Sequence, residues 1–237
     1  MLSVYKLTLR QLAGRWRLGI MAVLAALPVV ITAIMLSEQN APSVEEFEKA
    51  VLSVMLAGSI APLVVLAIAA AAFSNEVDDR TLANLVLTPI PRWKIALPKL
   101  LATITVAGPF ITLSALITAH VAFIGDTTAT IAITVSAIAG VAMYASLFVW
   151  LGLVSTQAIG IGLLYIVLWE GFFSGFVSGV RLLSIRFYAI ALMHAMDGRR
   201  FAGSEHLGTI AAITVTVLVI GGFLLLAVRK LRTMDVP

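Results

Sequence analysis

The sequence predicts an all-α integral membrane protein. It would have six transmembrane helices, an interfacial amphipathic helix at the N-terminus and a re-entrant external hairpin between helices five and six. Three observations carry this. Hydrophobic residues make up 61% of the 237 positions and charged residues only 12%, whereas soluble chains average about 45–50% apolar and about 25% charged. Mean hydropathy is +1.07. Apolar runs of about 20 residues, enough for the roughly 30 Å of a bilayer core, recur along the chain, and six can be marked out.

Residues 1–17 place Leu2, Tyr5, Leu9, Leu12 and Trp16 at spacings of three and four, an arc of about 80° on a helix. Lys6, Arg10 and Arg17 fall beside that arc. Such a helix lies in the interface plane with Trp16, Arg10 and Arg17 as anchors against membrane lipids; the alternative is a plain extension of the first span. That span, residues 18–36, exceeds the roughly 7–15 residues of a signal-peptide core and is read as retained. Residues 37–49 carry Glu38, Glu45, Glu46 and Glu48 against Lys49 and read as an acidic external loop. The second span covers about residues 50–73 and the third about 98–123. Pro28, Pro62 and Pro109 each remove a helical hydrogen bond, so this half of the bundle should bend. Pro98 suits the first turn of the third span.

A short turn at Gly125 and Asp126 leads to a fourth span near 129–151. A fifth runs from about 158 to 176 and a sixth from about 207 to 228. Residues 177–206 are too charged to cross and too long for a turn; two half-helices dipping into the outer leaflet fit them. With the N-terminus inside, 11 of the 16 Lys and Arg residues fall on the cytoplasmic side, Lys99 among them, as the positive-inside rule favours. The net charge of +4 therefore reflects topology rather than a nucleic-acid patch.

No catalytic constellation stands out. Cysteine is absent, which removes thiolate chemistry and disulfides. The dipeptide Gly-Lys never occurs, so the phosphate loop is missing, as are the metalloprotease and serine-hydrolase motifs. The chain is expected to bind no cofactor or metal and to be no enzyme. His120, His194 and His206 read as interfacial or capping residues. Glu170, preceded by Trp169, lies inside the fifth span, where a carboxylate costs about 2.5–3.5 kcal/mol on the insertion scale. It either pairs with Arg181, Arg186 or a half-helix terminus, or it serves as a gate or substrate contact together with Trp169. Gly171, Gly175 and Gly179 form consecutive G-x-x-x-G steps; they allow close helix packing or mark a helix break.

The stretch between spans two and three, residues 74–97, is the watery interruption. Glu76 and Asp79 suit a helix start, Leu82 and Leu85 give a short helix an apolar side, and Pro89 and Pro91 stop it. Arg80, Arg92 and Trp93 would rim the contact. This pattern fits docking to a soluble partner or contact with the membrane surface.

The series Glu76, Arg80-Thr81-Leu82, Leu85, Leu87-Thr88-Pro89, Pro91-Arg92 and Lys99-Leu100-Leu101 resembles the cytoplasmic segment of ATP-binding cassette (ABC) transporter permeases of the type-2 exporter family. Leu183-Ser184-Ile185-Arg186-Phe187-Tyr188 also looks like the external hairpin of its bacterial members. Arg80 and Pro98 stand where that family usually has glycine. The resemblance implies a prokaryotic inner-membrane permease with both termini cytoplasmic. Two copies, or this chain and a related one, would pair with two ABC ATPase subunits that hold the ATP and Mg. Those subunits would push on residues Glu76 to Arg92 (Glu76, Asp79, Arg80, Thr81, Leu82, Leu85, Thr88, Pro89 and Arg92), with Trp93 beside them, to drive export of a lipid, drug or peptide. Competing readings are a non-transporting sensor or immunity subunit that docks the same ATPase, and a membrane enzyme using Glu170 and a histidine.

Overall fold

The computed structural model describes residues 2–38, 42–73, 91–173, 183–201 and 208–233. In chain order these form α1 (Leu2–Leu12), α2 (Arg15–Ser37), α3 (Val44–Phe73), α4 (Trp93–Ala122), α5 (Thr127–Val154), α6 (Ala158–Phe172), α7 (Ile185–Met196) and α8 (Thr209–Thr233). There is no strand among the described residues. Five helices, α2, α3, α4, α5 and α8, are long and apolar enough to cross a membrane, whereas α6 and α7 are shorter apolar helices. The chain is a multi-pass, all-helical membrane protein. The stretch expected as a span at 158–176 holds the shorter α6, and the stretch 177–206, expected to re-enter, holds α7; residues 174–182 and 202–207 lie outside the described part.

Tyr5, Leu9 and Leu12 of the apolar arc of α1 pack on protein, while Leu2 is exposed. Thr8 and Leu12 are buried, Tyr5 and Leu9 pack on the core, and the Tyr5 hydroxyl donates to Thr105 Oγ1 of α4 at 3.0 Å. Lys6, Leu7 and Arg10 are left exposed. Trp16 is 82% exposed and Arg17 is exposed beside it, both at the start of α2.

α3 begins inside the stretch that composition marked as an acidic loop. Ser43 and Glu46 form a reciprocal capping box: the Ser43 hydroxyl accepts the Glu46 amide at 3.3 Å and the Glu46 carboxylate accepts the Ser43 amide at 2.9 Å. Two orphan donors of the first turn are thereby satisfied, and Glu45, Glu46 and Glu48 become helical residues. From Glu48 to Ile60 the helix winds in wide π turns, in which each amide reaches back five residues rather than four. The Ala61 amide still bonds the Leu56 carbonyl. The next wide-turn bond would run from residue 62 to Ala57, but Pro62 has no N–H. The Tyr144 hydroxyl of α5 supplies the missing donor to the Ala57 carbonyl at 3.1 Å.

α4 starts at Trp93, before the expected residue 98. Pro91 and Arg92 carbonyls accept the Lys94 and Ile95 amides at 2.8 and 3.0 Å, so the helix is under way before Pro98, which lies inside it with Pro109. A turn at Gly125, with φ of +84°, suits a residue without a Cβ and leads to Asp126. The Asp126 carboxylate accepts the Ala129 amide at 3.1 Å and caps α5. That bond and Arg200, 2.7 Å away, hold its carboxyl below the ordinary aspartate range.

The core lies among α3, α4 and α5, where Val64, Val65, Ile68, Ile111, Ala115, Tyr144 and Phe148 are fully buried. α2 and α8 flank it with exposed Val23, Val30, Ile34, Ile210, Val217 and Leu218. That surface belongs against hydrocarbon.

Candidate functional site

Glu170 is fully buried. It sits on the second π-wound stretch, Tyr165–Phe173, whose wide turns set residues five apart on one face. The Tyr165 hydroxyl consequently donates to Glu170 Oε1 at 2.8 Å. The other donors come from the start of α7: Ser184 Oγ at 2.5 Å to Oε2, the Ile185 amide at 3.0 Å to Oε1 and the Arg186 amide at 3.5 Å. A carboxylate away from water persists only when such donors fill its lone pairs. It is favoured further by the positive end of the α7 dipole. Ser184 also accepts the Phe187 amide at 3.2 Å, so it caps α7 while donating to Glu170.

The Arg186 side chain runs over Gly58 on the wide-turn stretch of α3. A Cβ at Gly58 would stand 2.8 Å from Arg186 Cδ and 3.1 Å from the Ser53 carbonyl, so glycine makes the space. Glu170 thus joins α6 to α7, and Arg186 seats α7 on α3. Trp169 is half-buried beside Glu170. Both carboxylate oxygens already accept hydrogen bonds, an arrangement suited to holding α7 in place.

The far end of α7 has a second fastening. His194 Nε2 lies 2.5 Å from Glu48 Oε1, and the imidazole stacks on Phe201 with centroids 6.3 Å apart. Phe201 meets Phe123 edge-on at 5.7 Å, Phe123 meets Phe47 at 5.6 Å, and Arg200 lies 5.1 Å over the Phe123 ring. Between the two fastenings, α7 covers a small apolar cavity of about 20 Å³ lined by Leu52, Leu56, Ile111, Ile133, Ala189 and Met193 among others. His120 is exposed on α4, and His206 lies outside the described residues.

Glu76, Asp79, Arg80, Thr81, Leu82, Leu85, Thr88 and Pro89 lie outside the described residues. Arg92 stands at the N-cap of α4, with Nη1 buried and without a hydrogen-bond partner among the described residues. Trp93 is 45% exposed, and the Lys94 ammonium is 5.7 Å from its ring centre. Lys99 is fully buried. Its Nζ donates to the Ala72 carbonyl and stands 4.3 Å from the centre of the Phe73 ring.

Residues 14–191 match the family model described as ABC-2 family transporter protein. The chain belongs to that family. No curated protein matches the sequence. The matched region of this ABC-2 protein runs from the start of α2 into α7 and includes both the Glu170 network and Lys99.

Among the described residues, the close helix approaches of this ABC-2 protein fall at other glycines than Gly171. Gly171 is exposed, and a Cβ there would meet only the Ile166 carbonyl of its own helix at 3.6 Å; Gly175 and Gly179 lie outside the described residues. The close approaches occur at Gly58, at Gly152, where a Cβ would stand 2.7 Å from the Ala70 carbonyl, and at Gly162, which faces Leu66. Glycine spacing within one helix does not disclose these contacts, since the crowding atoms belong to another helix.

Proposed function

We propose that this chain is the membrane-spanning permease subunit of an ATP-driven exporter, coupling hydrolysis by a separate ABC ATPase to export of a hydrophobic or amphipathic substrate. The family match across residues 14–191 carries the reading. The absence of a Gly-Lys dipeptide anywhere in the chain supports an ATPase that binds ATP and Mg elsewhere, with no enzyme activity or cofactor in this subunit. Mainly apolar spans favour a lipid, drug or peptide over a small ion.

In this reading six spans cross a prokaryotic inner membrane with both termini cytoplasmic, α6 serving as the fifth. Two copies form the path, and α7 belongs to the re-entrant outer segment. The ATPase pushes on the segment from Glu76 to Arg92, with Trp93 at its edge. Glu170 fixes the outer segment and has no proton-carrying role.

The test is copurification from native membranes followed by reconstitution. The chain alone should hydrolyse no ATP, and the complex should hydrolyse it and move substrate. The double reversal Glu76→Arg with Arg80→Glu should lose the ATPase; unchanged assembly and transport would overturn the docking assignment. An intact, ATP-hydrolysing complex that moves nothing would instead identify a sensor or immunity subunit.

A further inference from the structure

Lys99 is a buried charge that the proposed function leaves without a task. Its Nζ reaches 27 residues back to the Ala72 carbonyl and lies over the ring of Phe73. Ala72 and Phe73 are themselves buried and are the final described residues of α3. A backbone carbonyl has two lone pairs, so it can accept the ammonium alongside any amide of its own helix. The aromatic face adds a second attraction for the ammonium. An apolar side chain of similar length would fill the same volume without bringing a charge out of water. It could not bond the Ala72 carbonyl.

Residues 74–90 connect Phe73 to the start of α4, so the bond from Lys99 to Ala72 joins the two roots of that connection. This part of α3 is held on another side too, where Gly152 of α5 lets the Ala70 carbonyl come close.

We propose that Lys99 is a positioning residue that ties α3, at Ala72 and Phe73, to the start of α4, so that a push delivered between them moves both helices as one body. This rests on the reading of residues 76–92 as the ATPase contact. The tie itself can be measured without nucleotide.

The chain lacks cysteine, so spin labels can be placed on exposed Ala67 of α3, Leu101 of α4 and Leu225 of α8, in pairs, in the full-length permease in nanodiscs. Electron–electron distance measurements should give a narrow distribution for the 67–101 pair in the parent, its loss to a broad one in Lys99→Met, and recovery in Lys99→Arg. Lys99→Gln serves in place of the methionine variant if that one does not fold. Equal widths in parent and neutral variant overturn the tie; an arginine variant as broad as the neutral one reduces it to a volume effect and overturns it as well.

With the copurified ATPase and ATP–Mg, the 67–225 and 101–225 distances should shift together in the parent while 67–101 stays fixed. In Lys99→Met they should shift independently. A 67–101 distance that changes in the parent rejects movement as one body. A parent in which ATP shifts none of the three pairs, with the nucleotide-free result intact, rejects the ATPase-contact reading and leaves the tie standing.

Discussion

Removing the Glu170 carboxylate tests the seating of α7 most directly. Glu170→Leu strands the three closest donors, the Tyr165 hydroxyl, the Ser184 hydroxyl and the Ile185 amide, and also removes the long contact from the Arg186 amide. A buried unsatisfied donor costs about 1–3 kcal/mol. The hydroxyls can swing toward backbone carbonyls and fall at the low end, while the amide cannot move, giving about 3–5 kcal/mol, the range found on breaking buried ionic contacts. Glu170→Gln keeps one acceptor oxygen for Tyr165 and Ile185 and turns an amino group toward Ser184, whose hydroxyl can accept. It loses the extra strength of bonds to a charged acceptor and escapes part of the burial cost, for a net of about 1–2 kcal/mol.

The assay uses Met193→Cys, a single thiol on the buried face of α7 with 1% exposure. When reseating is faster than labelling, the maleimide reaction rate follows the open population. At about tenfold per 1.4 kcal/mol, labelling should rise more than about 100-fold in Glu170→Leu and about 5- to 30-fold in Glu170→Gln. A leucine variant within about threefold of the parent, which corresponds to less than about 0.7 kcal/mol, would refute the assignment of Glu170 as the fastening of α7.

The other predictions concern packing and the freed carbonyl. Gly152→Ala should destabilise the fold by about 1–3 kcal/mol, because the new methyl meets the Ala70 backbone rather than a flexible side chain. Gly160→Ala, with nothing within 4 Å, should be neutral or gain up to about 1 kcal/mol from helix propensity; thermal inactivation of both in detergent makes the comparison. Tyr144→Phe should cost about 1 kcal/mol through the lost bond to the Ala57 carbonyl. That cost should shrink in a Pro62→Ala background, where the new amide can take over the carbonyl; a double-mutant cycle with strictly additive effects would rule this out.

Five of the six expected spans were legible as membrane-length helices because burial in hydrocarbon is a bulk property: long apolar runs with charges between them leave few alternatives. Their ends were less so. Ser43 and Glu46 spell a capping box, but the run of glutamates around them reads as solvent by composition, and only the reciprocal hydrogen bonds decide for helix. Trp93 starts α4 because Pro91 and Arg92 already offer carbonyls, which outweighs the expectation that Pro98 marks a first turn. The lone carboxylate Glu170 was conspicuous, and its separation of 14 residues from Ser184 kept their meeting within reach of sequence reasoning. The pairing of His194 with Glu48 spans 146 residues and has no local signature. The burial of Lys99 had no sequence signature, since charge near a span end normally snorkels to water and the carbonyl and aromatic ring that receive it belong to another helix.

The wide windings of α3 and α6 also bear on how this chain can change length. A wide turn accommodates one residue more than an ordinary turn before the next hydrogen bond closes. One residue can therefore be lost within 48–60 or 165–173 by reverting a single turn, and the helix beyond keeps the face it presents to its neighbours. The same loss in an ordinary stretch rotates everything downstream by about 100° and carries its apolar stripe off the core. An alignment gap between relatives is structurally silent in those two segments and disruptive in Ala61–Ala69 or through the middle of α5.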